Sequence, residues 1–234
     1  MATQHGSVLV TGSSSGIGRS TAIALAEAGF RVFAGVRKDA DGYVLREATP
    51  HRRLIPVILD VTEDDQITAA ATRIAELTHG AGLAGLVNNA GTALARPIEF
   101  VEIEALREQY EINVIGQVAV TQAMLPLLRA GRGRVINIGS AASWTTMPFA
   151  GVQCSVKHAL RSVNDALRQE LKPWSIPVIL VEPGVIKTAA VDKLQADLDD
   201  ALASLGVDGR SLYEESFRAM VASALRHEQH RGAP

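Results

Sequence analysis

Residues 11–18, Thr-Gly-Ser-Ser-Ser-Gly-Ile-Gly, constrain this chain more than any other stretch. They follow the short β run Ser7-Val8-Leu9-Val10. They open an Ala-rich segment, Ile17 to Ala28, whose spacing is helical and whose C-cap falls on Gly29. In that setting Gly12 permits a tight turn, Gly16 lets backbone approach a pyrophosphate, and Gly18 lets the helix pack close to the strand. The helix start also offers unpaired N–H groups and the positive end of its dipole to phosphate. A glycine pattern alone is weak evidence. Here strand, turn and helix stand in the order that a dinucleotide phosphate site requires.

The remaining pattern alternates strand and helix. Strands are expected at Arg31 to Val36, Leu54 to Leu59, Leu83 to Val87, Arg134 to Ile138 and Val178 to Val181. Helices are expected at Asp39 to Ala48, about Glu63 to Thr78, roughly Ile103 to Leu128, and Gly151 to Leu171. Parallel strands joined by helical crossovers make an α/β fold, a doubly wound parallel sheet with helices on both faces. No repeat, low-complexity run or linker interrupts residues 1–234, so one domain is expected. Past Thr188, residues Ala189 to Glu214 lose strand character. They fall after the last strand, where a segment lies over the carboxyl edge of the sheet. Two readings stand, a helical substrate lid at about 189–214 or a structural helix pair.

Composition removes several classes of function. With 23 basic and 25 acidic residues, net charge −2, the chain carries no nucleic-acid footprint and no polybasic membrane patch. Its single cysteine, Cys154, excludes an intrachain disulfide and fits a reducing cytoplasm. No signal peptide, apolar membrane-spanning run or metal-ligand cluster is discernible, so a cytoplasmic protein without a metal is expected.

From residue 11 to about Thr188 the motifs together resemble the classical short-chain dehydrogenase/reductase family. TGSSSGIG resembles its TGxxxGIG turn. Asp60-Val61, Asn88-Asn89-Ala90-Gly91 and Pro183-Gly184-Val185-Ile186-Lys187-Thr188 resemble its adenine contact, NNAG and PGxxxT segments. The resemblance implies a Rossmann-type fold. It implies a nicotinamide dinucleotide held by Gly12, Ser13, Ser14, Ser15, Gly16, Ile17 and Gly18, by Asp60 and Val61, by Asn89, Ala90 and Gly91, and by Pro183, Gly184, Val185, Ile186 and Thr188. It also implies a homodimer through the two long helices. A tetramer is not expected, because no seventh strand is discernible before Pro234.

The end of the second strand selects the dinucleotide. An acid there bonds a ribose 2′-hydroxyl, whereas an arginine pairs with a 2′-phosphate. The chain reads Phe33-Ala34-Gly35-Val36-Arg37-Lys38, with no acid before Asp39. Arg37 offers a planar fork suited to phosphate and Lys38 adds a second positive charge, so NADP(H) is expected over NAD(H).

The resemblance implies catalysis by Asn113, Ser140 and Lys157 together with a tyrosine four residues before the lysine. That spacing puts the two side chains on one helix face. Lys157 sets the register, and Gln153 stands where the tyrosine belongs. A glutamine amide donates and accepts hydrogen bonds but does not titrate, so it is no general acid. Three explanations stay open: a disabled reductase, a chemistry needing less proton donation or none (iminium or alkene reduction, cyclisation, dehydration, isomerisation), and a protein that binds NADP(H) without turnover. Lys157, Ser140 and Tyr213 are the alternative donors. Cys154 and His158 are read as structural. The apolar Trp144, Met147 and Phe149, with Ser140 and Gln153, are expected to line a pocket for a bulky hydrophobic small molecule. That stretch packing on the lid or a subunit is the other reading.

Overall fold

Val8, Leu9 and Val10 are almost wholly buried, as a strand covered on both faces must be. The computed structural model describes residues 5–48, 53–184 and 198–231. Its strands are β1 (Ser7–Val10), β2 (Arg31–Val36), β3 (Leu54–Ile58), β4 (Gly85–Asn88), β5 (Val135–Ile138) and β6 (Val178–Val181). All pair in parallel, in the order β3-β2-β1-β4-β5-β6. The order reverses between β1 and β4, and the carboxyl ends of those strands open the crevice where such folds bind ligands. Pro56 sits within β3, an edge strand, where its missing N–H costs no ladder bond to a second neighbour.

The helices are α1 (Gly16–Glu27), α2 (Asp39–Glu47), α3 (Asp64–Thr78), α4 (Ile103–Tyr110), α5 (Gly116–Ala130), α6 (Gly151–Glu170), α7 (Leu198–Ala203) and α8 (Gly206–Arg231). Strand alternation divides the core. Leu9 and Phe33 join a cluster with Ile67, Ile74, Val120, Met124 and Leu128 of α3 and α5. Val8, Val10, Val32 and Ala34 join another with Ala22, Ala26 and Leu45 of α1 and α2. The expected fold class stands, with most element ends within two residues of expectation.

Three differences bear on the site. The helix expected at roughly 103–128 is continuous, but Glu111–Ile115 form a π turn between α4 and α5. By length and composition the span Ile103–Ala130 is apolar enough to cross a membrane, contrary to the sequence expectation. Only 44% of its most apolar window is buried. Val120, Met124 and Leu128 are wholly buried against the sheet and α3, which is how a core helix acquires such a composition. Beyond residue 197, the segment expected as a lid to about 214 is two helices, α7 and α8, and the second runs on past 214 to Arg231. Leu198, Leu202, Phe217 and Val221 bury against one another and against Phe100 and Phe149.

Candidate active site

The turn after β1 is packed directly on the loop that follows β4. Gly12 adopts φ +63°, and a Cβ there would lie 2.8 Å from the Ala90 Cα. A Cβ on Gly18 would run into the Gly12 carbonyl oxygen and the Asn89 amide. Asn89 Nδ2 donates to the carbonyls of Thr11 (3.0 Å) and Gly12 (3.1 Å). Thr11 Oγ1 accepts from the Asn89 and Ala90 backbone N–H groups, both at 2.9 Å. These bonds hold the turn open. Ser13 is scaffold: it is buried, its Oγ donates to the Val10 carbonyl at 2.8 Å, and its N–H to that of Gly35 at 2.9 Å.

A cleft of about 710 Å³ runs along this edge. Gly12, Ser14 and Ser15 line one wall, Arg37, Asp60 and Val61 the next, and Asn89, Ala90 and Gly91 the floor. Its volume lies within the usual range of ligand sites. Arg37 is exposed and makes no ion pair among the described residues. Asp60 Oδ1 accepts from the N–H (3.1 Å) and hydroxyl (2.8 Å) of Thr62. Of the expected site residues that the structure describes, Ser13, Gly16, Ile17, Gly18, Lys38, Asn113, Ser140, Gln153, Lys157, Pro183 and Gly184 are outside the lining. The glycine cradle, the start of α1 and the unpaired guanidinium fit a dinucleotide bearing an additional phosphate.

Asn113 sits in the π turn and is wholly buried. Its Nδ2 donates to the carbonyls of Thr92 (3.1 Å) and Gln109 (2.9 Å), and its Oδ1 accepts from the Thr92 N–H (3.3 Å). It ties the long helix to the cleft floor. π turns are rare and gather at functional sites.

Ser140 lies two residues past β5, and its Oγ accepts from the Ala142 N–H at 3.1 Å. Lys157 on α6 is 8% exposed, and its Nζ donates to the Ile138 carbonyl at 3.2 Å. Burial pulls the ammonium pKa down to about 8, because the charged form loses hydration. Gln153 stands one turn earlier on α6. Its Oε1 is buried and accepts no hydrogen bond among the described residues. Pro183 O accepts from the Ala141 N–H at 2.9 Å, which joins the serine loop to the end of β6. Val185, Ile186 and Thr188 lie outside the described residues, as does the start of the expected lid.

Of the expected pocket residues, Trp144 and Met147 are exposed, while Phe149 packs on Phe217 and Tyr213. Tyr213 donates its hydroxyl proton to Glu99 Oε2 at 2.8 Å. That bond, first among the causes, raises its pKa, so it is a poorer acid than an ordinary tyrosine. Cys154 is buried, and its carbonyl oxygen meets His158 Nδ1 at 2.9 Å; neither side chain enters the site contacts.

Sequence reasoning missed two arrangements. Asn88 Nδ2 donates to Thr121 Oγ1 (2.8 Å) and Asn137 Oδ1 (2.9 Å), and Asn137 Nδ2 donates to Asn164 Oδ1 (3.0 Å). This buried amide ladder links β4, β5 and α6. Asn137 inside an apolar strand was its one visible signal. The second arrangement joins Trp144, Arg161 and Glu182, and no sequence spacing announces it.

The model of the short chain dehydrogenase family matches residues 6–199. The chain belongs to that family. It is 41% identical over 185 residues to the NADPH-dependent 3-dehydrocapnine reductase of Ornithobacterium rhinotracheale, covering 77% of this chain and 65% of that protein. It is 36% identical over 211 residues to the 3-amino-tetrahydro-pyrrolizinone reductase of Xenorhabdus hominickii, covering 90% and 72%. The crystal structure of a short chain dehydrogenase from Burkholderia cenocepacia J2315 in complex with NADP superposes with TM-score 0.72 at 32% identity, over 80% of this chain and 76% of that one. The chain thus spans about two thirds of the length of the first of these relatives. In this short-chain dehydrogenase Gln153 stands four residues before Lys157 on α6.

Proposed function

We propose that the protein is an NADP(H)-dependent oxidoreductase acting on the carbonyl, alcohol or imine group of a bulky hydrophobic small molecule. The observation that carries this reading is the carboxyl edge of the sheet, which in strand order bears Arg37 after β2, the glycine turn after β1, Asn89 after β4 and Ser140 after β5, with Lys157 bonded to the Ile138 carbonyl. The reductases it resembles and the NADP complex of its structural neighbour support it. When bound, the nicotinamide supplies or accepts a hydride. Arg37 would hold the 2′-phosphate and the start of α1 the pyrophosphate. Ser140 Oγ, already accepting from the Ala142 N–H, keeps its own proton to donate to a substrate oxygen. Gln153 would orient the reacting group by hydrogen bonds and could not transfer a proton to it. Lys157, with its lowered pKa, is then the titratable group left among Asn113, Ser140, Gln153 and Lys157.

The proposal includes a homodimer through α4–α6, a cytoplasmic location, and residues 189–214 as a substrate cover. The packing of Phe149 on Tyr213 supports that cover.

A second reading is favoured by Gln153 alone: an NADP(H)-binding protein without redox turnover, or one with non-redox chemistry. NADPH absorbance separates the two when bulky ketones and cyclic imines are offered to the protein and to Gln153→Tyr. Restored proton transfer should raise ketone turnover on the order of 10²–10⁴-fold. No NADPH consumption by either protein would overturn the oxidoreductase reading.

A further inference from the structure

Trp144 lies four residues beyond Ser140, on the same loop, and is 63% exposed. An exposed tryptophan is ordinarily free to turn. This one is held at two points. Its Nε1–H donates to Glu182 Oε2 at 2.8 Å. The Arg161 guanidinium carbon sits 3.0 Å from its ring centroid, close contact for a cation over an aromatic face. Arg161 Nη1 is in turn 3.7 Å from Glu182 Oε1. Both of those atoms are buried and neither makes a hydrogen bond among the described residues, so the contacts of the pair there are the long ion pair and the indole.

The three residues come from the three segments that carry the candidate site. Trp144 follows Ser140, Arg161 is one turn beyond Lys157 on α6, and Glu182 directly precedes Pro183. The guanidinium covers one face of the indole, so the large exposed area belongs to its other face and edge. A rigid aromatic surface loses little conformational entropy when a ligand covers it.

We infer that Trp144, clamped by Arg161 and Glu182, is a stacking platform for a planar ring of the substrate. This rests on the small-molecule oxidoreductase reading above and narrows its substrate class to molecules bearing an unsaturated or aromatic ring beside the reacting group. A purely aliphatic chain would cover the indole without the geometric gain of offset stacking.

The chain has two tryptophans, so ¹⁵N-labelled protein shows two indole N–H resonances, and Trp174→Phe assigns them. NADPH-loaded protein is titrated with 1-tetralone and, separately, with acyclic 2-octanone. The expected result is a saturable shift of the Trp144 resonance with 1-tetralone, little shift with 2-octanone, and no movement of Trp174. Glu182→Gln, which weakens the clamp, should loosen 1-tetralone binding, and Trp144→Leu should cut the preference for the ring compound about tenfold. An unmoved Trp144 resonance, or equal shifts with both ketones, overturns the platform. So does a Trp144 shift that follows protein concentration without ligand, which would assign the face to a subunit contact. NADPH consumption with an unmoved Trp144 leaves the oxidoreductase reading standing and removes the platform. A saturable ring-specific shift without consumption of NADPH does the reverse.

Discussion

Lys157 reaches back from α6 to donate from Nζ to the backbone carbonyl of Ile138 at 3.2 Å, and this is the one hydrogen bond its ammonium makes among the described residues. A buried ammonium with a single neutral acceptor is under-solvated, which is why its pKa falls from 10.5 to about 8.

That drop makes stability depend on pH. Below pH 8 both folded and unfolded chains carry the proton and the folded state bears the full desolvation cost, about 3 kcal/mol for this shift. Between pH 8 and 10.5 the unfolded chain holds the extra proton, so stability rises with pH. Lys157→Met should therefore be more stable than the parent by about 2–3 kcal/mol at pH 7, with the gap closing near pH 10.5. Urea unfolding at both pH values measures it, and a gap that does not change with pH would contradict the assignment.

Arg37 lines the cleft without an ion-pair partner among the described residues. Arg37→Ala should weaken NADPH binding about 10–100-fold, the loss of a charge-assisted pair worth roughly 1.5–3 kcal/mol, while changing NADH affinity little. Fluorescence titration of the two cofactors compares them. Equal losses for both would remove Arg37 from the 2′-phosphate.

Gly18→Ala would drive a methyl into the Gly12 carbonyl and the Asn89 amide. Overpacking of this kind costs about 1–3 kcal/mol. Here it should also spread the phosphate turn, so cofactor binding should be lost at temperatures where circular dichroism still reports a folded chain.

Asn137→Val should cost about 3 kcal/mol in urea unfolding. It leaves one Asn88 donor hydrogen and the Asn164 acceptor buried without partners. A substitution at exposed Thr72 should change little by comparison.

The sheet was legible because its information is local. The Val-rich β1 and β2 carry their own strand signal, and Gly12 to Gly18 declare both the turn and the ligand chemistry. Arg37 stands at the end of β2, where the strand signal is local, and the structure places it exposed on the cleft wall. What escaped depends on contacts distant in sequence. Asn88 meets Asn137, and Trp144 meets Glu182, across separations no periodicity encodes. The π turn escaped because helical spacing in residues 103–128 is read as a stripe, which one additional residue in a turn displaces without erasing. Residues 189–214 showed helical composition, yet which face of α8 is buried is set by the packing of Phe217 and Val221 against α7 and Phe149.

The π turn has a consequence for how this helix tolerates insertions and deletions. Each residue advances an α-helix by about 100°, so the wide turn acts as a phase shifter between two rods that look like one. Upstream, Glu108 is aimed at the cleft; downstream, Val120, Met124 and Leu128 are aimed at the sheet. Deleting a single residue within Glu111–Ile115 would close the wide turn to a regular α turn and leave the two halves in phase, whereas a deletion elsewhere in the helix would rotate one half against the other by about 100°. In that second case the ligand-facing half and the core-facing half could no longer both be in phase with the rest of the molecule.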